Sequence, residues 1–304
     1  MTRGNDVSDA SAVATTASLY LLVVTNPLVE ALEKTPNVLS VELRPPRAEL
    51  DSAAGMDAWI DTYHAVRGLV RDGMFVFLTD SAVGAKEENN LRHLVINLGT
   101  DVPRSHVIPF LTTKHTREYC ISYAESALHQ GFSTMVVLGG DKSVGPPRCV
   151  EHAWQLREDI RRHVPDLGLG GWANPHQNPE SQVGYLRDAR FSAEFFLTQV
   201  VSHHDLPKVE SFLTARQKAG VTTPGIFGVF YYRSANPKTL ATLKQFLSVP
   251  AEALTAEFGA GESPESICAR SIRELRRAGV RHLYLSNLPT QGTRQTLERI
   301  LALV

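Results

Sequence analysis

The first residue with a recognisable chemical use is a carboxylic acid near the end of a short strand-like run. In Val38-Leu-Ser-Val-Glu-Leu43, stopped by Pro45-Pro46, extended side chains alternate between faces. Leu39, Val41 and Leu43 share one face, which leaves Ser40 and Glu42 on the other. A carboxyl held there away from water has its pKa raised and can serve as a general acid. An ion pair with Arg44, two residues on, is the alternative role. Gln199 interrupts an apolar run with Phe195 and Leu197 on its face. A buried amide without partners costs about 1–3 kcal/mol, so it must bond either a ligand with a planar donor–acceptor edge or nearby backbone. Asp141 follows Gly139 and Gly140, which allow close backbone approach; a turn over 141–145 is its other reading. Trp172, Phe230, Tyr231 and Tyr232 place aromatic rings at two strand ends, suited to stacking on a flat heterocycle or to core filling.

His203-His204-Asp205 brings three potential ligands together in sequence, yet no metal is expected. Adjacent histidines on an extended strand face opposite ways, and Asp205 ahead of Pro207 fits a helix start. The chain has no HExxH, Walker A, nucleophile elbow or catalytic-cysteine signature.

Positioning these residues requires a repeating frame. Strand-like runs begin near Val38, Met74, His106, Thr134, Leu167, Phe195, Pro224 and His282, each separated by a helix-length segment. Helical patterns are expected over 56–71, 117–130 and 148–163. Eight strands alternating with helices predict a parallel (β/α)8 TIM barrel. An open doubly wound sheet is the competing architecture, but Gly168 to Gly171 lacks the GxGxxG spacing of a dinucleotide fold. The strand ends carry Glu42, Thr79-Asp80, Thr112, Asp141, Trp172 with Asn174, Gln199, Tyr232 and Ser286-Asn287. In a barrel these converge on one rim, where active sites lie.

The 304 residues carry 31 Lys and Arg against 32 Asp and Glu, a net charge of −1, which removes the basic footprint of a nucleic-acid binder. A hydrophobic fraction of 43% without a run of about 20 apolar residues fits a globular chain and predicts no membrane span. Cys120, Cys149 and Cys268 are too scattered for a disulfide framework, so a cytoplasmic setting is expected. Residues 1–18 read as a flexible leader and 19–304 as a single barrel domain. The apolar run Leu19 to Val24 reads as an added strand or helix leading into it rather than a signal peptide. Self-association into a homo-oligomer is left open.

Four segments together resemble the methylenetetrahydrofolate reductase family: Ser40-Val-Glu-Leu-Arg-Pro-Pro46, Val137-Leu-Gly-Gly-Asp141, Phe196-Leu-Thr-Gln199 and Pro224-Gly-Ile226. They occur in the family's order, and the resemblance spans about Leu39 to Asn287. It implies a (β/α)8 barrel that reduces 5,10-methylenetetrahydrofolate to 5-methyltetrahydrofolate with NADH or NADPH, in one-carbon metabolism and methionine biosynthesis. It implies that Glu42 is the proton donor, that Asp141 and Gln199 hold the pterin, and that Tyr232 or Phe230 lies beside nicotinamide and folate. Thr79 and His176 match cofactor-binding positions, and Trp172 stands where the family has a tyrosine. Other flavin-site residues are replaced. Pro109 to Thr112 lacks the family's histidine, Gly139 stands for an arginine, and Arg187-Asp188 stands near a diphosphate-binding lysine. The chain therefore resembles the flavin-independent actinobacterial branch, in which FAD is absent and nicotinamide gives hydride directly to folate. A flavin-dependent reductase with an altered pocket and a non-catalytic folate-binding barrel are the alternatives. The retained Glu42 favours an enzyme, because binding a pterin requires no proton donor.

Overall fold

The computed structural model describes residues 26–46, 52–80, 98, 102–142 and 145–304. The expected leader and the Leu19 to Val24 run lie outside the described residues. In chain order the elements are α1 (Pro27–Lys34), β1 (Leu39–Leu43), α2 (Ser52–Arg71), β2 (Phe75–Leu78), β3 (Val107–Thr112), α3 (Arg117–His129), β4 (Thr134–Leu138), α4 (Ala153–His163), β5 (Gly168–Ala173), α5 (Pro179–Arg187), β6 (Phe195–Thr198), α6 (Leu206–Lys218), β7 (Gly225–Phe230), α7 (Pro237–Leu243), α8 (Ala251–Gly259), α9 (Pro264–Arg277), β8 (His282–Ser286) and α10 (Thr293–Leu301). Each strand pairs with the next in sequence, and β8 returns to β1, so eight strands close into a barrel. Every pairing is parallel. All eight predicted strands are present, and the (β/α)8 expectation holds. Helix α4 begins at Ala153, five residues later than its pattern suggests.

Strand alternation separates two apolar layers. Val41, Leu43, Val76, Leu111, Val137, Leu169 and Leu285 point outward and pack with the helices in the larger core. Phe77, Ile108, Val136, Phe195, Leu197, Ile226 and Tyr284 point inward and fill the barrel. The glycines of β5 and β7 make room for these rings. A Cβ on Gly170 would lie 2.6 Å from the Phe195 ring, and one on Gly228 would lie 2.5 Å from Tyr284. The floor of the barrel is closed by α1, whose Leu28 and Leu32 are fully buried within the inward cluster. Asn26 fixes this plug. Its Oδ1 accepts from Val29 N at 3.3 Å, capping the helix, and from Thr134 Oγ1 at 2.7 Å, while its Nδ2 donates to Ser133 O at 3.2 Å.

The outer helices follow ordinary sequence rules. In α9, Ser263 caps the first turn by accepting from Ser266 N, Pro264 and Glu265 suit the N-terminal turn, and Arg276 and Arg277 the last. Ile267, Cys268, Ser271, Ile272 and Leu275 recur at helical spacing and are buried. Burying Ile272 and Leu275 contributes about 1.5–3 kcal/mol each, so Ile272→Asp would break the seat of this helix. Among the described residues, no helix is long and apolar enough to cross a membrane.

Candidate functional site

The C-terminal ends of the strands form the mouth opposite the α1 plug, and Glu42 sits there on the inward face of β1. Strand register places it beside Ser286 of β8, which in turn lies beside Phe230 of β7. Ser286 Oγ donates to Glu42 Oε1 at 2.9 Å. Below them the buried Tyr284 donates its hydroxyl to Thr198 O at 2.7 Å. Burial in this apolar barrel pushes the Glu42 carboxyl up to about 7, against the lowering effects of the Ser286 hydrogen bond and, more weakly, of Arg44. Arg44 is exposed and forms no ion pair with Glu42. Burial therefore favours the protonated form of this carboxyl.

Phe230, Tyr232, Arg233, Leu243 and Asn287 line a pocket of about 180 Å³ beyond the ends of β7 and β8. The rings of Phe230 and Tyr232 are 4.8 Å apart. Phe230 retains exposure, whereas Tyr232 is buried with Leu240, Val249, Leu254 and Ile267 beneath α7, α8 and α9. Of the two aromatic candidates, Phe230 is the one with a face to offer. Trp172 is the next-to-last residue of β5, on the inward side and partly buried against the barrel core.

Gln199 lies one residue past β6 and is partly buried. Its Oε1 accepts from Val200 N at 3.0 Å and its Nε2 donates to Phe246 O at 3.4 Å. Backbone thus satisfies part of the amide, as one of its two sequence readings required. Asp141 follows Gly140, whose φ of 69° turns the chain sharply at the end of β4. The carboxyl is partly exposed at the mouth. Thr79 sits just beyond β2, its amide bonded to Leu43 O. His176 is a strut between strand ends: Nε2 donates to Val200 O at 2.8 Å, and Nδ1 faces Asp205 at 3.7 Å.

Several features were not singled out from sequence. Ser286 as the partner of Glu42 depends on the closing register of β8. Asp80 accepts from Thr112 N at 2.6 Å and pairs with His115 Nε2 at 2.9 Å, tying β2 to β3 at the mouth. Arg148 lies across Gly139: a Cβ there would come within 2.9 Å of its guanidinium, and Arg148 donates to Gly140 O. A cation therefore occupies the place where Gly139 has no side chain. Asp188 is likewise not a bare negative charge, because Arg190 pairs with it. Phe110, by contrast, is a buried inward ring with no polar group to offer. Trp172 offers one indole N–H, and Arg148 supplies one cation near the rim.

The histidine pair departs from its sequence reading. Residues 203–205 form a 3-10 turn, not a strand, so the His203 and His204 rings lie 3.8 Å apart and both meet Glu257 of α8. Asp205 precedes α6 as expected.

No protein-family model matches the chain, and none of the curated proteins does. Among solved structures it is similar to an uncharacterised protein from Clostridium thermocellum that binds two copies of 5-methyl-5,6,7,8-tetrahydrofolic acid. The TM-score is 0.65 at 18% identity, over 90% of this chain and 96% of that one. It is also similar to the PgaB (BpsB) glycoside hydrolase domain from Bordetella bronchiseptica, with a TM-score of 0.51 at 10% identity over 87% of this chain and 98% of that one. At these identities the likeness establishes the barrel fold.

Proposed function

We propose that this protein reduces 5,10-methylenetetrahydrofolate to 5-methyltetrahydrofolate, taking hydride directly from NADH or NADPH. The observation that carries the reading is Glu42, an inward carboxyl at the barrel mouth with its pKa raised to about 7. Such a group holds a transferable proton near neutral pH. The similarity to a barrel that binds 5-methyltetrahydrofolic acid supports the substrate class.

In this mechanism Glu42 gives its proton to N10 as the C–N10 bond of the bridging methylene breaks. The ring opens to a 5-iminium cation, and the Glu42 carboxylate is left ionised beside Ser286, whose hydroxyl stabilises it. The methylene carbon then accepts hydride from a reduced nicotinamide bound within about 3–3.5 Å. Hydride and proton together convert the bridge into the N5 methyl group and an N10–H. Gln199 and Asp141 hold the pterin edge, with Gln199 oriented by its backbone contacts. Phe230 offers a ring to stack on, and Trp172 flanks the nicotinamide. At positions that the family resemblance assigns to flavin contacts, Phe110 has no polar group and Trp172 only an indole N–H, so the proposal runs without FAD.

The test is oxidation of NADH or NADPH by purified protein in the presence of 5,10-methylenetetrahydrofolate, with the folate product identified by mass. Formation of 5-methyltetrahydrofolate by colourless protein supports the reading. Tight folate binding without turnover would instead establish a folate-binding barrel, and absence of folate binding would overturn both.

A further inference from the structure

We propose that His203, His204 and Glu257 form a binding site for one divalent transition-metal ion of the zinc class, clamping the turn after β6 to α8 and α9. This site is separate from the mouth chemistry and does not depend on the proposed reaction. One nitrogen from each histidine and a carboxylate oxygen all lie within 4.8 Å of one another. The three side chains are 10%, 20% and 13% exposed, so the cluster is largely covered, with His204 nearest solvent.

The hydrogen bonds behind the cluster suit a ligand shell. His203 Nδ1 is 2.8 Å from Ser271 Oγ, and that hydroxyl donates to Ile267 O at 3.3 Å. In the tautomer with the hydroxyl hydrogen directed to Ile267, Nδ1 carries a proton and donates it to Ser271. Nε2 then presents a lone pair to Glu257 Oε1 at 2.8 Å. Two lone pairs at that distance repel, and either a proton on Nε2 or a metal ion bound by both groups removes the conflict. Histidine ligands fixed through their second nitrogen are the usual arrangement at metal sites. The carboxylate is also braced from behind, because Arg270 Nη1 donates to Glu257 Oε1 at 2.8 Å.

Charge points the same way. Arg270 is shared between Glu257 and Glu262, so with neutral imidazoles one negative charge is left over. Two imidazoles and one carboxylate select zinc, cobalt or nickel over magnesium or calcium. Tetrahedral zinc ligands at about 2.0–2.2 Å from the metal are spaced roughly 3.3 Å apart. His204 Nε2 and Glu257 Oε2 are already 3.3 Å apart, and His203 needs to draw back only slightly. The exposed side of His204 leaves a position for water. Such an ion would anchor a turn that begins four residues beyond Gln199.

The experiment uses the full-length protein, stripped with a chelator and titrated with Co²⁺ and then Zn²⁺. Saturation at about one equivalent, with a visible ligand-field band that Zn²⁺ abolishes, is the expected result. His204→Gln and Glu257→Gln should each lose the band. At a hundredfold excess over Kd, Zn²⁺ should raise the Tm of the unsubstituted protein by about 5 °C, and should not raise that of either variant. Absence of a saturable band in the unsubstituted protein would overturn the proposal whatever the variants do. A band that persists in both variants would also overturn it by placing the ion elsewhere. Either result would leave the cluster as a metal-free network in which His203 Nε2–H donates to Glu257.

Discussion

Replacing Glu42 with Gln removes a proton donor and also a stability cost, and the two effects can be measured separately. The carboxyl titrates at about 7 in the fold against an ordinary 4.5. Because the folded pKa is raised, the folded state holds this proton more tightly than the unfolded chain does. Its contribution to stability is fully present below pH 4.5 and is lost as pH rises through 7. A shift of that size corresponds to about 3–4 kcal/mol at about 1.4 kcal/mol per pH unit. Glu42 retains some accessible surface, so solvent screening brings the expected figure to roughly 2–3 kcal/mol. Gln cannot ionise. The variant should therefore be more stable than the parent by that amount at pH 8, and by less than about 1 kcal/mol at pH 5. Urea denaturation at the two pH values reads the difference. Turnover should move the opposite way. At pH 7 about half of Glu42 carries its proton, against roughly 0.3% for a carboxyl at its ordinary value. General acids contribute about 10²–10⁴ in rate, so kcat should fall at least about 100-fold with folate affinity largely kept. The parent's kcat should also decline above pH 7 on a single proton loss. Equal stability at pH 8 would refute the burial argument, and near-parental turnover would refute the acid role.

Ser286→Ala removes a hydrogen bond that favours the ionised carboxyl, so the alkaline limb of the pH–rate profile should move up by about one unit; a downward move would contradict the geometry. Gln199→Ala should weaken folate binding by about 1–3 kcal/mol in an equilibrium titration, and unchanged affinity would remove Gln199 from the pterin site. Gly228→Ala drives a methyl into the Tyr284 ring and displaces its hydroxyl from Thr198, so thermal unfolding should show a loss of at least about 1–3 kcal/mol; a neutral result would mean that the barrel interior yields more easily than its packing suggests. The flavin-free route predicts colourless protein and intersecting double-reciprocal lines, the pattern of a ternary complex. Yellow protein that loses activity on flavin removal, with parallel lines, would decide for the flavin-dependent alternative.

The barrel was legible because its strands are short, nearly continuous apolar runs, with side chains alternating between two faces, set apart by helix-length segments. The inward position of Glu42 followed from the same alternation. Contacts between distant strand ends were not legible. Ser286 meets Glu42 only through the β1–β8 register, 244 residues apart in sequence. That Gly139 stands where the resembled family has an arginine was visible, but Arg148 reaching back over that glycine was not, because a loop conformation decides it. His203 and His204 were misjudged for a local reason. Their opposition on a strand was inferred correctly from strand geometry, but Ser202 and Asp205 cap each other and wind the segment into a turn. Gln199 carried two readings because alternation gives a side chain's direction and says nothing of its partners.

The β1–β8 seam also has a consequence for how the protein is made. Leu283 N bonds Val38 O and Val38 N bonds His282 Nδ1, so the first strand finds its second neighbour only in the last one. During synthesis β1 must wait with one edge unpaired until nearly the whole barrel has emerged, and such late, long-range pairing is slow to form and prone to aggregation. The Ser286 hydroxyl arrives on that same last strand. A nascent chain interrupted before β8 would therefore hold a carboxyl without its partner in an unclosed sheet. Closure of the ring and assembly of the acid site would then be a single event.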